Sequence, residues 1–347
     1  MPVIEELLTE ARRRRAFSAA AWSVGTTDQT HSRGLLGTTA WSSEVAVTED
    51  SRWDLASVTK PVVAMAVLSL VEDGVLTLDD TIADHLPSYA GTDKAGIRIR
   101  ELLTHTSGIP GQQPLYRWAR TRDELLAAIR ALPLLGPPGA QVAYSSQGFI
   151  LLGLIAEAAA EATLDVLVAE RVTRPAGMSG TGFGVPDPGV AVATEDDPWR
   201  GRVVQGEVHD ENAVVLGAPA GHAGLFGTLA DLEALGRTLC ARGCGAAGRV
   251  LTEAGYAAMI APRTDQLASR RTLGWQGVDP VDSVAGDLIG ARGYGHLGFT
   301  GTSLWVDPER GSYVVLLTNR VHPTRQNPAI GRLRRTVNNA GFALASG

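Results

Sequence analysis

The sequence has little of what marks several large protein classes. Only two of its 347 residues are cysteine, Cys240 and Cys244, which excludes a disulfide framework. Their spacing suits neither a redox motif nor a zinc site, and we predict that both are packing residues. The longest mostly apolar stretch, Pro61 to Val71, is about half of the ~20 residues that a membrane span needs. The net charge of −6 provides no basic field for nucleic acid or an anionic membrane. We therefore expect a globular protein with neither partner.

Lysine is scarce as well. The 31 basic residues include only two lysines, Lys60 and Lys94, and all others are arginine. Coding bias accounts for this most simply, but a lysine that persists can have a role closed to arginine, because a buried lysine can lose its proton and act as a base. Lys94 lies in a Gly-Thr-Asp-Lys-Ala-Gly segment, which predicts a solvated loop. Lys60 follows Ser57 by three residues and meets an apolar run, so it is the first candidate for chemistry.

Strand patterns occur near both ends of the chain, and helical patterns fill the middle. We predict strands over residues 19–25, 37–41, 302–306 and 313–317, the last two joined by a hairpin turn at 307–311. The clearest predicted helices cover residues 4–14, 57–72, 122–132, 148–162, 164–172, 229–241 and 329–345. This order predicts an α/β (α+β) fold, in which an antiparallel sheet built from both termini is flanked by helices and an all-helical domain is inserted.

The same pattern predicts how the chain is divided. Residues 1–75 and 245–347 are expected to form the sheet domain and residues 76–244 the inserted helical domain, with the active site at their interface. The basic and apolar residues between Arg12 and Trp22 imitate a secretion signal, but acidic residues precede them and the apolar part is short. A helix followed by a strand accounts better for this segment, and we predict a cytoplasmic protein.

Ser57-Val58-Thr59-Lys60 is an S-x-x-K motif at the start of a predicted helix. Residues i and i+3 share a helix face, which brings the Lys60 amine within reach of the Ser57 hydroxyl. The first turn of a helix favours negative charge on an attacked oxygen, and a desolvated lysine can take the serine proton. The alternative is that Ser57 is a helix N-cap and Lys60 a surface charge. From the residues alone, both interpretations stay open.

Two further segments offer groups for the same chemistry. Tyr144 lies at the entrance of a predicted helix, where it can relay a proton or simply pack beside a serine N-cap. Gly295-His296-Leu297-Gly298 precedes a predicted strand, and its glycines allow the backbone to approach a ligand closely. The N–H after Gly298 can supply half of an oxyanion hole, and His296 a positive charge or a hydrogen bond. The alternative is a glycine-rich hairpin with a surface histidine.

Together these segments resemble the serine β-lactamase and penicillin-binding-protein superfamily, specifically its class C-like branch. Ser57 to Lys60 resembles the first motif, Tyr144 the start of a Y-x-N motif, and His296-Leu297-Gly298 the K-T-G or H-x-G triad. The resemblance runs from about residue 16 to 340 in the family's order, and includes residues 71–80, 102–108 and 298–308. No G-x-S-x-G motif is present, which argues against the α/β-hydrolase route to serine catalysis.

The resemblance implies a role for each catalytic residue. Ser57 would be the acylated nucleophile and Lys60 its general base. Tyr144 would pass the proton to the leaving group and later activate water. The backbone N–H groups of Ser57 and Phe299 would form the oxyanion hole.

The sequence departs from the family's pattern at two substrate-binding positions. Ser146 stands where asparagine is usual, which removes an amide that commonly holds the lysine and the substrate; Gln147 and Asn212 are the candidates to replace it. His296-Leu297 replaces Lys-Thr, which removes a fixed positive charge and a hydroxyl near a substrate carboxylate, whereas Gly298 is kept. We expect Ser146, His296 and Gly298 to bind substrate. The departures favour esterase-like or peptidase-like chemistry over efficient β-lactam turnover.

A second histidine-bearing cluster lies in segments 208–213 and 221–227. Its polar members, His209, Asp210, Asn212 and His222, are expected to shape a pocket or to hold a loop through hydrogen bonds. No standard spacing supports a metal site there, so we predict no metal and no other cofactor. His105 is predicted to be structural.

These observations predict a serine hydrolase that acts through an acyl-enzyme on small esters or amides, including D-amino-acid peptides. One alternative is an acyltransferase of specialised metabolism on the same scaffold, which passes the acyl group to an amine or alcohol. Another is a non-catalytic penicillin-binding-like protein. The expected partner is a small-molecule ester, amide or peptide, and the acyl group, the leaving group and the oligomeric state stay open.

Overall fold

The computed structural model describes residues 2–185 and 187–346. Within these residues the strands are, in chain order, β1 (Ala19–Thr26), β2 (Thr30–Gly37), β3 (Trp53–Asp54), β4 (Gly182–Phe183), β5 (Asp196–Asp197), β6 (Arg202–Val203), β7 (Leu225–Gly227), β8 (Gln276–Gly277), β9 (Tyr294–Leu297), β10 (Ser303–Asp307) and β11 (Ser312–Thr318). The α-helices of the same residues are α1 (Pro2–Arg13), α2 (Thr59–Glu72), α3 (Ile82–His85), α4 (Ile99–Leu103), α5 (Arg122–Ala131), α6 (Ser146–Ala160), α7 (Leu164–Val168), α8 (Arg174–Ala176), α9 (Glu211–Leu216), α10 (Leu229–Cys240), α11 (Glu253–Ile260) and α12 (Ile330–Ala345).

The main sheet has the strand order β2-β1-β11-β10-β9-β8, and its neighbouring strands are antiparallel. The N-terminal strand β1 pairs with β11 from the C-terminal part, so both ends of the chain build one sheet. Helices α1 and α12 pack together, with α12 against β1 and β11, and α10 also contacts both strands. All seven residues of β11 are buried. A strand covered on both faces is apolar throughout rather than alternating, which explains the continuous run Val314 to Leu317.

The predicted fold class, an antiparallel sheet built from both termini with helices between, is confirmed. The strand predicted over residues 37–41 is wrong, because β2 covers Thr30–Gly37. The chain reverses tightly after β1, with the Thr26 N–H donating to the Gln29 carbonyl at 2.8 Å. As an edge strand, β2 carries exposed polar residues such as Arg33, and such residues hid it from a search for apolar runs.

The central helix is α2, which follows a 3₁₀ turn at Ala56–Val58. Its residues from Thr59 to Leu70 are all buried, as predicted from apolar residues that nearly encircle it. It packs against α6, α7 and α11. Within the ranges that the structure describes, no helix combines the length and the apolarity needed to cross a bilayer.

The division into two domains stays a prediction, but the packing bears on where a boundary would fall. Helix α10 lies within the range assigned to the helical insertion, yet it packs on β1, β10 and β11 of the sheet. It therefore belongs with the sheet layer, because its buried face includes Leu232, Leu235 and Leu239. A boundary drawn from packing would lie before residue 229 rather than at 244.

Two smaller predictions are wrong. Lys94 is not solvated: it is 1% exposed, and its ammonium group donates to Asp93 and to the Leu132 carbonyl. This bond ties a loop to the end of α5. Cys244 is exposed and does not pack in the interior. Cys240 does pack against the core, and burial raises the pKa of its thiol to about 12.

Candidate active site

Ser57 lies on the 3₁₀ turn that precedes α2. The residue before it, Ala56, has a φ of +46°, a conformation that costs a non-glycine residue of order 1–3 kcal/mol and collects at functional sites. The buried Asp54 carboxylate holds this turn, because Oδ1 accepts from the Ala56 N–H and Oδ2 from the His209 N–H, both at 2.7 Å. Burial raises the pKa of Asp54. A strained backbone with a buried anchor therefore positions Ser57.

Lys60 is fully buried and lies at hydrogen-bond distance from Ser57. Its Nζ donates to Ser57 Oγ at 3.1 Å and to the His222 carbonyl oxygen at 3.1 Å. The structure thus brings together the two groups that the i, i+3 spacing pairs. The alternative in which Lys60 is a surface charge is excluded by its burial.

The main-chain carbonyl of His222 provides Lys60 with the acceptor that the missing amide would have supplied. Neither of the two side chains proposed as replacements bonds to Lys60: the amides of Gln147 and Asn212 both donate to the Gln113 carbonyl, at 3.2 and 2.8 Å. The His222 ring holds this segment in place, with Nε2 2.9 Å from Asp210 Oδ1. Sequence analysis missed this anchor because a main-chain carbonyl carries no residue-type signal.

Tyr144 lies beside Lys60 at the entrance to α6. Lys60 Nζ is 4.9 Å from the centroid of the Tyr144 ring, which packs on the His105 ring at 4.5 Å. His105 is buried, and its Nδ1 accepts from the Ser145 N–H at 3.1 Å, in agreement with a structural role. In the described ranges, no hydrogen bond joins the Tyr144 hydroxyl to Ser57 or Lys60. The lysine amine therefore lies against the face of the Tyr144 ring rather than at its hydroxyl.

The segment Gly298 to Thr302 forms the second half of the candidate oxyanion hole. Thr300 Oγ1 donates to the Asp54 carbonyl at 2.7 Å, and Thr302 Oγ1 donates to the Leu55 carbonyl at 3.0 Å. These bonds fix the segment against the chain that leads into Ser57. Gly298 must be glycine, because a Cβ there would meet the Thr302 side chain and lie 2.7 Å from the Leu55 carbonyl. In the part of the chain that is described, the Phe299 N–H has no hydrogen-bond partner, so it is available to an oxyanion.

His296 is 3% exposed on β9. Its Nδ1 lies 3.0 Å from the Leu297 carbonyl, and its buried Nε2 has no partner among the described residues. Burial, aided by the charges of Lys60 and Arg271, lowers the pKa of His296 well below its ordinary value. This low pKa disfavours the positive charge and leaves the hydrogen bond as the role for His296. Because the Leu297 carbonyl can only accept, Nδ1 carries the proton of the neutral ring and Nε2 is left as an acceptor.

Arg271 supplies that charge instead, and sequence analysis did not identify it. Its guanidinium carbon lies 5.7 Å from the centroid of the Tyr144 ring. Its Nε is buried without a partner in the described ranges, and burial lowers its pKa. A guanidinium with unused donors is suited to bind a carboxylate through two hydrogen bonds. One arginine among 29, outside any motif, gave no signal in the sequence.

Ser57 lies where two cavities meet. The first has a volume of about 450 Å³, and its lining includes Ser57, Tyr144, Arg271, His296, Gly298 and Phe299. The second has a volume of about 320 Å³, and its lining includes Ser57, Ser146, His209, Asp210, Asn212 and Phe299. The predicted substrate-binding residues are therefore divided between two sides of the nucleophile.

The histidine cluster forms two separate pairs. His209 Nε2 lies 2.9 Å from Glu195 Oε2, whereas His222 bonds to Asp210. Burial opposes the charge of Asp210, but the interactions with His222 and Lys60 outweigh it and hold the pKa of Asp210 below its ordinary value. In residues 2–185 and 187–346, no three metal-ligating side chains gather in one place. The pairs hold loops beside the second cavity.

Comparison with known proteins finds similarity along nearly the whole chain. The family model described as Beta-lactamase matches residues 4–338. A protein of Escherichia coli (strain K12) named "Putative D-alanyl-D-alanine carboxypeptidase" is 30% identical over an alignment of 325 positions, and the match covers 84% of this chain and 74% of that protein.

Two solved structures share the fold. EstCE1, described as a hydrolase with promiscuous acyltransferase activity, aligns with a TM-score of 0.81 at 21% identity, over 98% of each chain. A penicillin-binding protein homologue from Caulobacter crescentus aligns with a TM-score of 0.79 at 20% identity, over 99% of this chain and 97% of that one.

Proposed function

The chain belongs to the beta-lactamase family and is a serine hydrolase of that family, and from this we propose a substrate class. Its substrates carry a carboxylate on the leaving group. The observation that supports this proposal is Arg271, whose guanidinium lies in the 450 Å³ cavity beside Ser57 and has no partner among the residues that the structure describes. A C-terminal amino acid of a peptide is the simplest leaving group of this kind. The relative named as a D-alanyl-D-alanine carboxypeptidase supports the same substrate class.

In the acylation step of this proposal, the neutral amine of Lys60 takes the proton of Ser57 Oγ, across the 3.1 Å between them. Ser57 Oγ then bonds to the carbonyl carbon of the substrate, and the carbonyl oxygen becomes an oxyanion. The N–H groups of Ser57 and Phe299 stabilise that charge. When the intermediate collapses, the bond to the leaving group breaks and Tyr144 and Lys60 return a proton to the leaving nitrogen or oxygen.

Deacylation uses the same groups in the opposite order. Tyr144 and Lys60 take a proton from a water molecule, which attacks the Ser57 ester, and Ser57 Oγ recovers the proton as the acid product leaves. The His222 carbonyl keeps the Lys60 amine directed at Ser57 through both steps.

Arg271 also accounts for the departures from the family motifs. The loss of Lys-Thr at His296-Leu297 removes one carboxylate-binding charge, and Arg271 provides another on the same side of Ser57. We propose a peptidase within the class C-like branch, a choice that is supported by the carboxypeptidase-named relative, because Arg271 alone would serve the carboxylate of a peptide and that of a β-lactam equally. A cytoplasmic location stays a prediction from the sequence.

A second candidate function is acyl transfer. The two cavities extend on both sides of Ser57, so an amine or alcohol acceptor can occupy the leaving-group cavity while the acyl group stays in the other. The fold neighbour described as a hydrolase with promiscuous acyltransferase activity favours the same candidate. Adding an amine or alcohol acceptor and measuring the ratio of transfer to hydrolysis distinguishes the two, because a hydrolase partitions little.

Mass spectrometry of the intact protein tests the nucleophile. Wild-type protein and a Ser57→Ala variant are exposed to a fluorophosphonate, a penicillin and p-nitrophenyl acetate. We expect adducts on the wild type alone, and a long-lived penicillin adduct if β-lactams are poor substrates. An unmodified wild type with all three reagents would favour the non-catalytic alternative. Hydrolysis of an N-acylated D-alanyl-D-alanine then tests the leaving group, with the corresponding C-terminal amide as the matched substrate.

A further inference from the structure

Arg334, on α12, is a buried cation behind the candidate oxyanion hole. Its Nη2 donates to the Gly298 carbonyl at 2.6 Å and to the Thr302 carbonyl at 2.8 Å. Its Nε is buried without a partner, and the guanidinium pairs with no carboxylate in the described residues. No sequence motif predicts this arrangement, and Arg334 takes no direct part in the acylation or deacylation steps.

The Gly298 carbonyl belongs to the same peptide group as the Phe299 N–H. In a trans peptide the carbonyl and the N–H point in opposite directions, and the group is planar and rigid. A guanidinium bound to the Gly298 oxygen therefore fixes the direction of the Phe299 N–H on the other side of that plane. It also withdraws electron density through the amide, which makes the N–H a stronger donor to an anion.

A second arginine holds the next carbonyl of this segment. Arg320 Nε donates to the Phe299 carbonyl at 2.7 Å, and its guanidinium carbon lies 4.4 Å from the centroid of the Phe299 ring. The two carbonyls that flank the Phe299 N–H along the chain are thus both bound to guanidinium groups. This segment is fixed by Arg334 on one side, by Arg320 on the other, and by the threonine bonds to the chain before Ser57.

A buried cation without a counter-ion is costly. Burial, together with the nearby charge of Arg320, lowers the pKa of Arg334 to about 9. The reaction creates a negative charge that would compensate this cation, namely the oxyanion bound by the Phe299 N–H one peptide group away. The charge is thus placed where it is useful only when the tetrahedral intermediate forms, as expected of a preorganised site.

We propose that Arg334 is a positioning residue of the oxyanion hole, which orients and polarises the Phe299 N–H through the Gly298 carbonyl. The inference rests on the proposed acyl-enzyme mechanism. It predicts that loss of the Arg334 charge weakens binding of the transition state and leaves binding of the ground state almost unchanged, because Arg334 acts on the oxyanion and not on the substrate.

The experiment compares Arg334→Gln, which keeps N–H donors without charge, with Arg334→Lys, which keeps the charge. Arg335→Gln on the same helix, 38% exposed in its side chain, is the matched control. Each variant is assayed for kcat and KM with p-nitrophenyl acetate, for thermal stability, and for inhibition by a phenylboronic acid, which forms a tetrahedral adduct with serine. Loss of one direct oxyanion donor costs about 10²–10³-fold in kcat. Because Arg334 acts on the oxyanion only through the Gly298 peptide group, we expect a smaller loss in kcat, roughly 10- to 100-fold, for Arg334→Gln.

The expected pattern is specific to an electrostatic role. Arg334→Gln should lower kcat with little change in KM and should weaken boronate binding in parallel, whereas Arg334→Lys should recover most of the rate. A folded Arg334→Gln variant whose kcat is within about twofold of the wild-type kcat would overturn the inference, because loss of an oxyanion contact lowers kcat by much more than this. Equal losses in the Gln and Lys variants would also overturn it, as would loss of stability without a change in boronate affinity per folded molecule. If the Arg334→Gln variant does not fold, the Arg334→Lys variant carries the test. An Arg334→Lys variant that keeps wild-type stability but loses as much kcat as was expected of Arg334→Gln would refute the role of the charge. An inactive wild type would refute the proposed function instead.

Discussion

Substitution of Arg271 by glutamine should change the choice of leaving group more than any other property of the protein. The guanidinium lies in the cavity with Ser57 and has no carboxylate partner in the described residues. A hydrogen bond to a charged group contributes about 1.5–3 kcal/mol, and each 1.4 kcal/mol is tenfold in rate. The kcat/KM for a peptide with a free C-terminal carboxylate should therefore fall about 10- to 150-fold. The same peptide with a C-terminal amide should lose little, because it never made the ionic contact.

The assay is a four-way comparison of wild type and Arg271→Gln with the acid and amide forms of an N-acylated D-alanyl-D-alanine. The matched control is Arg117→Gln, an exposed arginine that lines the other cavity. Stability should not decrease in Arg271→Gln, since burial works against the charge of this arginine. Equal losses with acid and amide would refute carboxylate binding by Arg271. A larger selective loss in Arg117→Gln would place the leaving group in the opposite cavity.

Three further predictions concern the site and its surroundings. Gly298→Ala should be destabilised by about 1–3 kcal/mol, as expected for overpacking, and should lose its reaction with a fluorophosphonate. Chemical denaturation measures the stability and labelling rates measure the reactivity. A stable, fully reactive variant would contradict the contact with Thr302. Ser146→Asn should change kcat/KM by less than the ~1 kcal/mol of a typical hydrogen bond, because the catalytic lysine already has two acceptors; a large gain would show that the lysine was poorly held. Hydrogen bonds to His209 and Arg325 outweigh burial and lower the pKa of Glu195 from 4.5 to about 2, so Glu195 contributes stability above pH 4.5 that is lost as the pH falls toward 2. Glu195→Gln should show less loss of stability between pH 5 and pH 2 in urea unfolding, and an unchanged slope would contradict the pairing.

The fold could be predicted from the sequence where local pattern and burial agree. Helix α2 is largely apolar around its circumference and buried from Thr59 to Leu70, so the sequence predicted its end at Glu72 and its central place. Its start was predicted two residues early, because a 3₁₀ turn holds Ser57. The hairpin of β10 and β11 was predictable from two β-rich runs around a turn. The edge strand β2 was not, because its register depends on pairing with β1 rather than on its own hydrophobicity.

The site divides in the same way. The contact between Ser57 and Lys60 is local, because the two residues are three positions apart on one helical segment. The sequence therefore predicted it. The anchor of Lys60 at residue 222 and the cation at Arg271 come from distant parts of the chain. Their positions depend on tertiary packing, and one contributes only a main-chain carbonyl. No spacing rule reaches such groups.

We expect the charged side chains that line the two cavities to determine the orientation of a bound substrate. The lining of the 450 Å³ cavity contains three arginines, Arg271, Arg320 and Arg334, and no carboxylate in the described residues. The lining of the other cavity contains as many carboxylates as arginines. A substrate with one anionic end therefore places that end on the Arg271 side and its acyl group on the Asp210 side. Because burial lowers the pKa of His296 and disfavours a positive charge on its ring, we expect this direction to depend on Arg271, which lies outside the family motifs.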